Sequence, residues 1–389
     1  RILKVGDRFG YDYNLNITRA SSWIQSVFKF NKLDFFVAGT LSQTSFYRQG
    51  NIRNGIFPND SYGKGTANSF LNYAGKAGVT YKINGRNYVY ANGAYLTRAP
   101  YFENVYISPR TRNAQQSDLQ SEEILSGEVA YVLNTPTIKA RVGGYYTQFK
   151  NGMDVMVFYH DFYQNFVNYA IRGIDRLHFG GELGLEVKLS PTVTLNAAAA
   201  IGRYYFDSKQ QAVVTVDNSA AVIGRDIIYM ENFRLPSTPM EAYSASFNYR
   251  SPKFWFVSLT GSYFDQSYLS MNPLRRTWDA LQFLSPGTND YKSVFGQTKF
   301  DAQYTIDFFG GYSWKLPRAY EINKRSTFLV FNVGVNNLFN NKNIVTGGFE
   351  QLRYDQQQNA ADPVQIGKFP PRLFYAYGLN FFASATLRF

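Results

Sequence analysis

The sequence predicts an all-β protein, a transmembrane antiparallel β-barrel, and three observations carry that reading. Apolar and polar residues alternate with period two in one segment after another. Short turns and long polar connections follow each other in regular succession. Aromatic residues make up 18% of the 389 residues, with 31 Tyr and 34 Phe, while charged residues make up only 17%. A wall with lipid on one side and water on the other needs that composition, because every second residue faces each medium.

The alternation is clearest at the end of the chain. Tyr375, Tyr377, Leu379, Phe381, Ala383, Ala385, Leu387 and Phe389 fall on one face. Ala376, Gly378, Asn380, Phe382, Ser384, Thr386 and Arg388 fall on the other. A helix would spread both sets around its circumference, whereas a strand separates them. The apolar face carries aromatics at both ends, as an interfacial girdle does. Leu177 to Leu189 alternate in the same way with His178, Glu182, Glu186 and Lys188. So do Ile138 to Tyr146 with Lys139 and Arg141, and Tyr304 to Trp314 with Gln303 and Asp307. A soluble sandwich also alternates, but these segments run to ten or more residues, beyond the usual five or six.

Short turns fall at Asn31-Lys32, Asn84-Gly85-Arg86, Asn134 to Thr137, Ser190-Pro191 and Ser251-Pro252, with a longer one from Pro317 to Lys324. Long polar connections span 49–69, 99–121, 207–228, 265–298 and 346–372. Short periplasmic turns and long extracellular loops are the barrel arrangement. The Pro-bounded 99–121 segment has room for a short helix. The count is about thirteen strands, near 12–30, 33–48, 70–83, 87–98, 123–134, 138–150, 166–189, 192–206, 229–250, 253–264, 299–316, 326–339 and 373–389. The 160–176 stretch reads either as a short loop or as strand continuing beyond the membrane. Bacterial single-chain barrels have even strand numbers. The expectation is therefore that the 13 are the C-terminal strands of a larger barrel, with further strands before Arg1.

No run of apolar residues is long enough for a transmembrane helix. Mean hydropathy is −0.30, which also disfavours a helical membrane protein. With no cysteine and only two histidines, His160 and His178, thiolate chemistry and a His-rich metal site are not expected. The net charge of +12 comes from scattered Lys and Arg. They suit anionic head groups or a water-filled lumen better than nucleic acid. The opening Arg1-Ile2-Leu3-Lys4 has no signal-peptide pattern, so a processed chain or a piece of a longer one is expected.

Two segments carry a family likeness. Val333-Gly334-Val335-Asn336-Asn337-Leu338-Phe339-Asn340-Asn341-Lys342 resembles the N-x-x-N-L-F-[DN] segment of TonB-dependent receptors. Leu96 to Asn113, reading LTRAPYFENVYISPRTRN, resembles a loop of the nutrient-importing, SusC-like branch. The terminal Phe389 resembles the assembly signal of outer-membrane barrels in general. The resemblance implies a barrel of 22 strands closed by an N-terminal plug, with energy delivered through TonB, ExbB and ExbD. It implies an outer-membrane location in a Gram-negative bacterium. A surface lipoprotein lid is a further implied partner, and no cofactor is expected. The plug and TonB box are not in this sequence. Oligosaccharide or peptide import is favoured over siderophore or vitamin import. A transport-inactive structural subunit and a plug-free porin remain the alternatives.

No catalytic constellation stands out, so no enzyme is expected. Glu182 and Glu186 share a strand face roughly 13 Å apart, too far for a glycosidase pair. Gly63-Lys64-Gly65-Thr66 lacks the spacing of a phosphate loop. Glu122, Glu123 and Asp307 are isolated carboxylates in sequence, weak candidates for metal. Lys139, Arg141, Glu182, Glu186, Lys188, Gln303 and Asp307 are expected to face the lumen and meet a plug. Tyr101, Phe102, Phe162, Tyr163, Tyr268 and Trp278 fall in or near long loops. Flat rings stack on sugars and peptides at small entropic cost, so these six are the substrate-contact candidates.

Overall fold

A computed structural model describes residues 2, 4–160, 163–236, 238–282, 284–320, 325–352, 355–356, 366–367 and 369–389. Thirteen strands form one continuous antiparallel path in which each strand pairs with the next. They are β1 (Tyr13–Lys29), β2 (Leu33–Gly50), β3 (Asn68–Lys82), β4 (Asn87–Arg98), β5 (Glu122–Asn134), β6 (Ile138–His160) and β7 (Asn165–Lys188). They continue as β8 (Val193–Phe206), β9 (Glu241–Arg250), β10 (Trp255–Asp265), β11 (Gln303–Lys315), β12 (Phe328–Asn336) and β13 (Asn380–Arg388). The path is an open wall, not a closed cylinder: among the described residues β1 pairs only with β2, and β13 only with β12.

Exposure of large apolar side chains defines one face of this wall. Val129 is 53% exposed, Val142 51% and Leu183 41%, each in the middle of a strand with both neighbours paired. In water such a surface would far exceed the few hundred Å² of apolar patch that monomers tolerate. Against hydrocarbon it carries no cost. The opposite face is polar and pairs its charges across adjacent strands: Lys82 with Asp34 at 2.7 Å and Lys139 with Glu186 at 3.1 Å. Arg141 binds Glu182 at 3.0 Å and also Glu128, while the Tyr90 hydroxyl donates to Glu128 at 2.7 Å.

Three expected boundaries shift. The strand expected at 229–250 begins only at Glu241, because Pro236 and Pro239 cannot donate to a ladder. The strand expected at 138–150 runs on to His160 past bulges between Phe149 and Met153. With β7 it forms an arm well beyond the roughly ten residues needed to cross a bilayer; within 160–176 the described strand resumes at Asn165, after a turn at 163–164. The 207–228 connection is itself a hairpin, Gln210–Val216 with Val222–Ile228, and its first strand pairs with β7. One side of this arm packs Phe158, Val167, Tyr169, Ile171, Val214 and Ile228 against Met271 and Leu274 of the next long loop.

The last strand is the third difference. Arg372–Tyr375 pair with Val345–Phe349 in a separate loop sheet, so Tyr375, Tyr377 and Leu379 leave the expected strand. The asparagines of the family-like segment account for this. Asn337 and Asn340 adopt positive φ, 56° and 52°, and end β12. The Asn340 Oδ1 then accepts from the Leu379 amide at 3.0 Å, and the Asn337 side-chain amide donates to the Tyr377 carbonyl at 3.3 Å. Those bonds hold the chain off the wall until β13 starts at Asn380. A short helix α1 (Phe102–Val105) occupies the 99–121 connection as expected, and α2 (Trp278–Leu281) and α3 (Asn289–Phe295) lie in the 266–302 loop. Residues 321–324 of the expected 317–324 turn, and most of the later half of the 346–372 connection, lie outside the described residues.

Candidate functional site

At the long-loop end of β4 to β8 the polar face opens into a cavity of about 830 Å³. Arg98 closes β4 and Glu122 opens β5, and the two are register partners. Glu122 is only 6% exposed. One of its carboxylate oxygens accepts from Arg98, and the other from Arg176 Nη2 at 2.7 Å. One buried anion thus holds two guanidinium groups side by side. Charge-assisted bonds of this kind are roughly twice as strong as neutral ones.

Arg176 reaches the site from β7, opposite Phe149 of β6, and its guanidinium carbon sits 5.1 Å from the Phe149 ring centroid. Arg176 Nε is enclosed and has no hydrogen-bond partner. His178 lies beside it, 5.3 Å from Phe149 and 5.0 Å from Tyr204 between ring centroids. The hydroxyls of Tyr145 and Tyr204 meet at 2.5 Å. Gly180 and Gly202 make room for these rings. A Cβ on Gly180 would stand 2.8 Å from the Tyr145 hydroxyl, and one on Gly202 2.5 Å from that of Tyr204.

At the rim, Arg98 donates to the Tyr101 hydroxyl at 2.9 Å and stacks 4.7 Å from that ring's centroid. Asp154, beyond the β6 bulge, also lines the cavity. Its carboxylate accepts from the Val155 amide at 2.8 Å and forms no salt bridge among the described residues; burial pushes the carboxyl above its ordinary range, and the nearby Arg176 guanidinium works against that rise. Paired cations, a further carboxylate, hydroxyls and flat rings make a surface suited to binding an organic ligand. Among the described residues of the cavity, no hydroxyl is hydrogen-bonded to a histidine or carboxylate as a nucleophile is to its base.

The loop aromatics do not converge. Of the five that are described, Tyr101 alone lines the cavity. Phe102 packs with Phe46, Val105 and Tyr106. Tyr163 lies against His160 near the end of the long arm, the rings tilted by 53° with 4.7 Å between centroids. The Tyr268 hydroxyl donates to Gln266 at 2.9 Å, and Trp278 starts α2 with 64% exposure. Phe162 lies outside the described residues. On the wall, Lys139, Arg141, Glu182 and Glu186 form the pairs already described. Lys188 is exposed near a short turn, and Gln303 is half-buried. Asp307 accepts from the Asn337 amide at 2.7 Å, so it caps the end of β12. Phe389 follows β13 and is 59% exposed.

Glu122 is engaged by two arginines, and Glu123 accepts from the Tyr95 hydroxyl at 3.1 Å. No group of three or more His, Asp or Glu among the described residues is placed to hold a metal ion. Sequence reading passed over Arg98, Tyr145, Phe149, Arg176, His178 and Tyr204. Their signal was present: all are polar-face positions at one height on adjacent strands, visible once the registers are known.

The family model described as "TonB dependent receptor-like, beta-barrel" matches residues 4–338. No curated protein matches the chain in sequence. Among solved structures, the copper transporter OprC superposes with a TM-score of 0.61 at 13% identity, covering 95% of this chain and 47% of its own. The siderophore receptor PiuA from Acinetobacter baumannii gives 0.59 at 14% identity, covering 97% and 44%. The FrpB iron transporter from Neisseria meningitidis gives 0.57 at 13% identity, covering 97% and 46%. Identities this low show the fold. The chain spans about half the length of these structures.

Proposed function

The chain belongs to the TonB-dependent receptor β-barrel family, and from that premise we propose that it forms the C-terminal wall of a 22-stranded outer-membrane importer of an organic nutrient. The observation that carries this reading is the two-faced wall. Its apolar face needs lipid, and its polar face pairs its own charges and opens into an aromatic, arginine-bearing cavity at the long-loop end. A nutrient arriving from outside meets that cavity first. Energy from TonB with ExbB and ExbD moves a plug formed by another part of the protein, and the ligand passes along the polar face. Lys139, Arg141, Glu182 and Glu186 then face the plug, and Phe389 serves as the assembly signal.

The cavity's hydroxyls, guanidiniums and rings suit an oligosaccharide or a peptide, as does the resemblance of Leu96 to Asn113 to a loop of the SusC-like branch. A surface lipoprotein lid fits that reading. Copper, siderophore and iron belong to the names of the similar structures and come at identities that carry the fold alone. The test is uptake by a Gram-negative strain growing on oligosaccharide or peptide mixtures. Deleting this protein should abolish growth on one mixture, and deleting TonB should do the same. Unchanged uptake without TonB would remove active import and leave the porin or the scaffold.

A further inference from the structure

The polar face of the wall changes character at β9. From β2 to β8 its charges pair across strands, as at Lys82 with Asp34 and at Arg141 with Glu128 and Glu182. On β9 to β13 no ion pair lies on that face among the described residues. The pairs made by Glu241 and Asp265 belong to the opposite face, that of Ile201 and Tyr263. Between the ends of these five strands, Asp307 alone among the described polar-face residues is charged, and its Oδ1 accepts from the Asn337 amide.

Aromatic rings stand where the charges stop. Phe256, Phe309 and Phe382 follow one another across the polar face at 5.3 and 6.0 Å between centroids. Gly334 is the register partner of both Phe309 and Phe382, and Gly311 that of Phe256. A Cβ on Gly334 would run into the Phe382 ring, and one on Gly311 would stand 2.6 Å from the Phe256 ring. Rings that cover cross-strand glycines steady a sheet, yet that contact uses only one side of each ring. Phe382 remains 52% exposed and Phe309 39%, on the side of the wall turned away from lipid. Ser258, Thr260 and Asn336 line the same hollow of about 240 Å³ as these two rings and Asp307.

Resting on the import reading above, we infer that Phe382, Phe309 and Phe256 form a stacking track for a neutral oligosaccharide on the lumen side of the wall. The face of an aromatic ring is electron-rich and attracts the polarised C–H groups on the flat side of a sugar. Sugar hydroxyls both donate and accept, so they match amides and hydroxyls in either sense. A charged peptide finds no counter-ion along this strip, apart from Asp307. The track leads from mid-wall, at Phe309 and Phe382, to Phe256 beside the short turn between β9 and β10. Adjacent rings are close enough for a sugar to reach the next before it has left the last.

The test uses the full-length protein in detergent micelles with Phe309→Trp as reporter, its emission read as the difference from the parent. Acrylamide should quench that emission, because the ring is open to water. Maltopentaose, cellopentaose, laminaripentaose and xylopentaose are then titrated, and at least one should shift the emission saturably. Pentaalanine blocked at both ends should not. Adding Phe382→Ala should weaken the sugar response at least about fivefold, the low end for loss of one stacking ring, whereas Phe382→Tyr keeps the ring and should keep the response. Phe382→Trp with Phe309→Ala repeats the test from the neighbouring ring. A reporter beyond the reach of acrylamide means that another part of the protein covers the rings, and it overturns the inference. So does a reporter silent to every sugar, an equal response to the peptide, or a Phe382→Ala response equal to that of the reporter alone. TonB-dependent growth on an oligosaccharide mixture with a silent reporter would overturn the track and leave import standing. A sugar-responsive reporter with TonB-independent uptake would do the reverse.

Discussion

The membrane-spanning wall and the crown of long loops solve the same problem, placing charge in a β-rich protein, in opposite ways. On the wall the ion pairs are half-exposed: Arg141 and Glu182 keep 38% and 48% of their side-chain surface. In the crown, arginines are enclosed. Arg276 is 0% exposed and binds Glu350 through both Nη atoms, with further bonds to the carbonyls of Asn272, Phe295 and Gly296. Arg48, 1% exposed, donates to the carbonyls of Pro109 and Ser61 and to Asn113 Oδ1, at 2.7, 2.9 and 2.7 Å. Arg112 donates to the Asp217 carbonyl at 2.6 Å and lies 4.7 Å from the Phe57 ring centroid. The wall gets its order from ladders, so its charges need only be compatible with water. The loops have few ladders, and long side chains with five donors replace them by collecting carbonyls from segments distant in sequence.

The difference is broken most severely at Arg276. Arg276→Ala should destabilise the crown by about 3–5 kcal/mol, because the enclosed carbonyls of Asn272, Phe295 and Gly296 lose their donor and Glu350 keeps only Arg275, at 3.3 Å, as a cation. Limited proteolysis should then cut the 266–302 loop, while the strands of the wall stay protected. Arg276→Met with Glu350→Leu should recover only part of that loss: replacing both partners of a buried pair is often neutral, but Arg275 and the Asn272 amide lose Glu350 as well. Equal protease resistance in Arg276→Ala and the parent would mean that the loops are held by something else.

The next effect belongs to the wall. Val142→Lys places a charge on the lipid face of β6 and should cost about 2–4 kcal/mol if it lies near the bilayer midplane. Urea unfolding in lipid vesicles measures it. A loss below about 0.5 kcal/mol on the same scale would mean that this face is not in hydrocarbon. That result would sink the membrane assignment more directly than any loop variant.

A third test lies in the arm of the crown. Tyr169 donates to Asp226 at 3.0 Å, and burial raises the carboxyl above its ordinary value. The folded arm therefore holds the Asp226 proton more tightly than the unfolded chain does. Its contribution to stability is present below the ordinary carboxylate pKa of about 4 and declines as the pH rises through the raised value. Asp226→Asn should remove that decline, so the variant's arm gains protection relative to the parent as the pH is taken from acid to neutral. Hydrogen exchange of residues 165–176 reads the effect, and a parent-to-variant difference that does not change with pH would refute the assignment.

How much of this was legible in the sequence follows the same division. The strands could be read because period-two alternation is local, and each of the thirteen was placed near its observed position. The errors fall where a non-local bond decides. Asn340 captures the Leu379 amide across 39 residues, so β13 starts late. The bulges at Phe149 to Met153 redirect β6 instead of ending it. The site was illegible for the same reason. Arg98 and Glu122 come together across 24 residues and Glu122 and Arg176 across 54. Loop aromatics looked attractive as single residues, yet the described ones are spread over separate loops: Phe102 packs into a small cluster, while Tyr163 and Trp278 stay exposed away from the cavity.

The smallest expected effect is also the sharpest check on the wall. Glu182→Gln removes one of the two carboxylates on Arg141, but Glu128 remains bound to the same guanidinium, and Arg141 Nε still donates to the Tyr90 hydroxyl at 2.9 Å. A half-exposed pair is worth about 0.2–1 kcal/mol, and the surviving partners absorb part of that. The variant should thus unfold in urea within about 1 kcal/mol of the parent. It should also fold into vesicles with the same efficiency. A loss as large as that of Arg276→Ala would show that the polar face is dry and that its charges are structural in the way the crown's are. The route along that face would then be closed to a hydrated ligand, whatever the cavity above it binds.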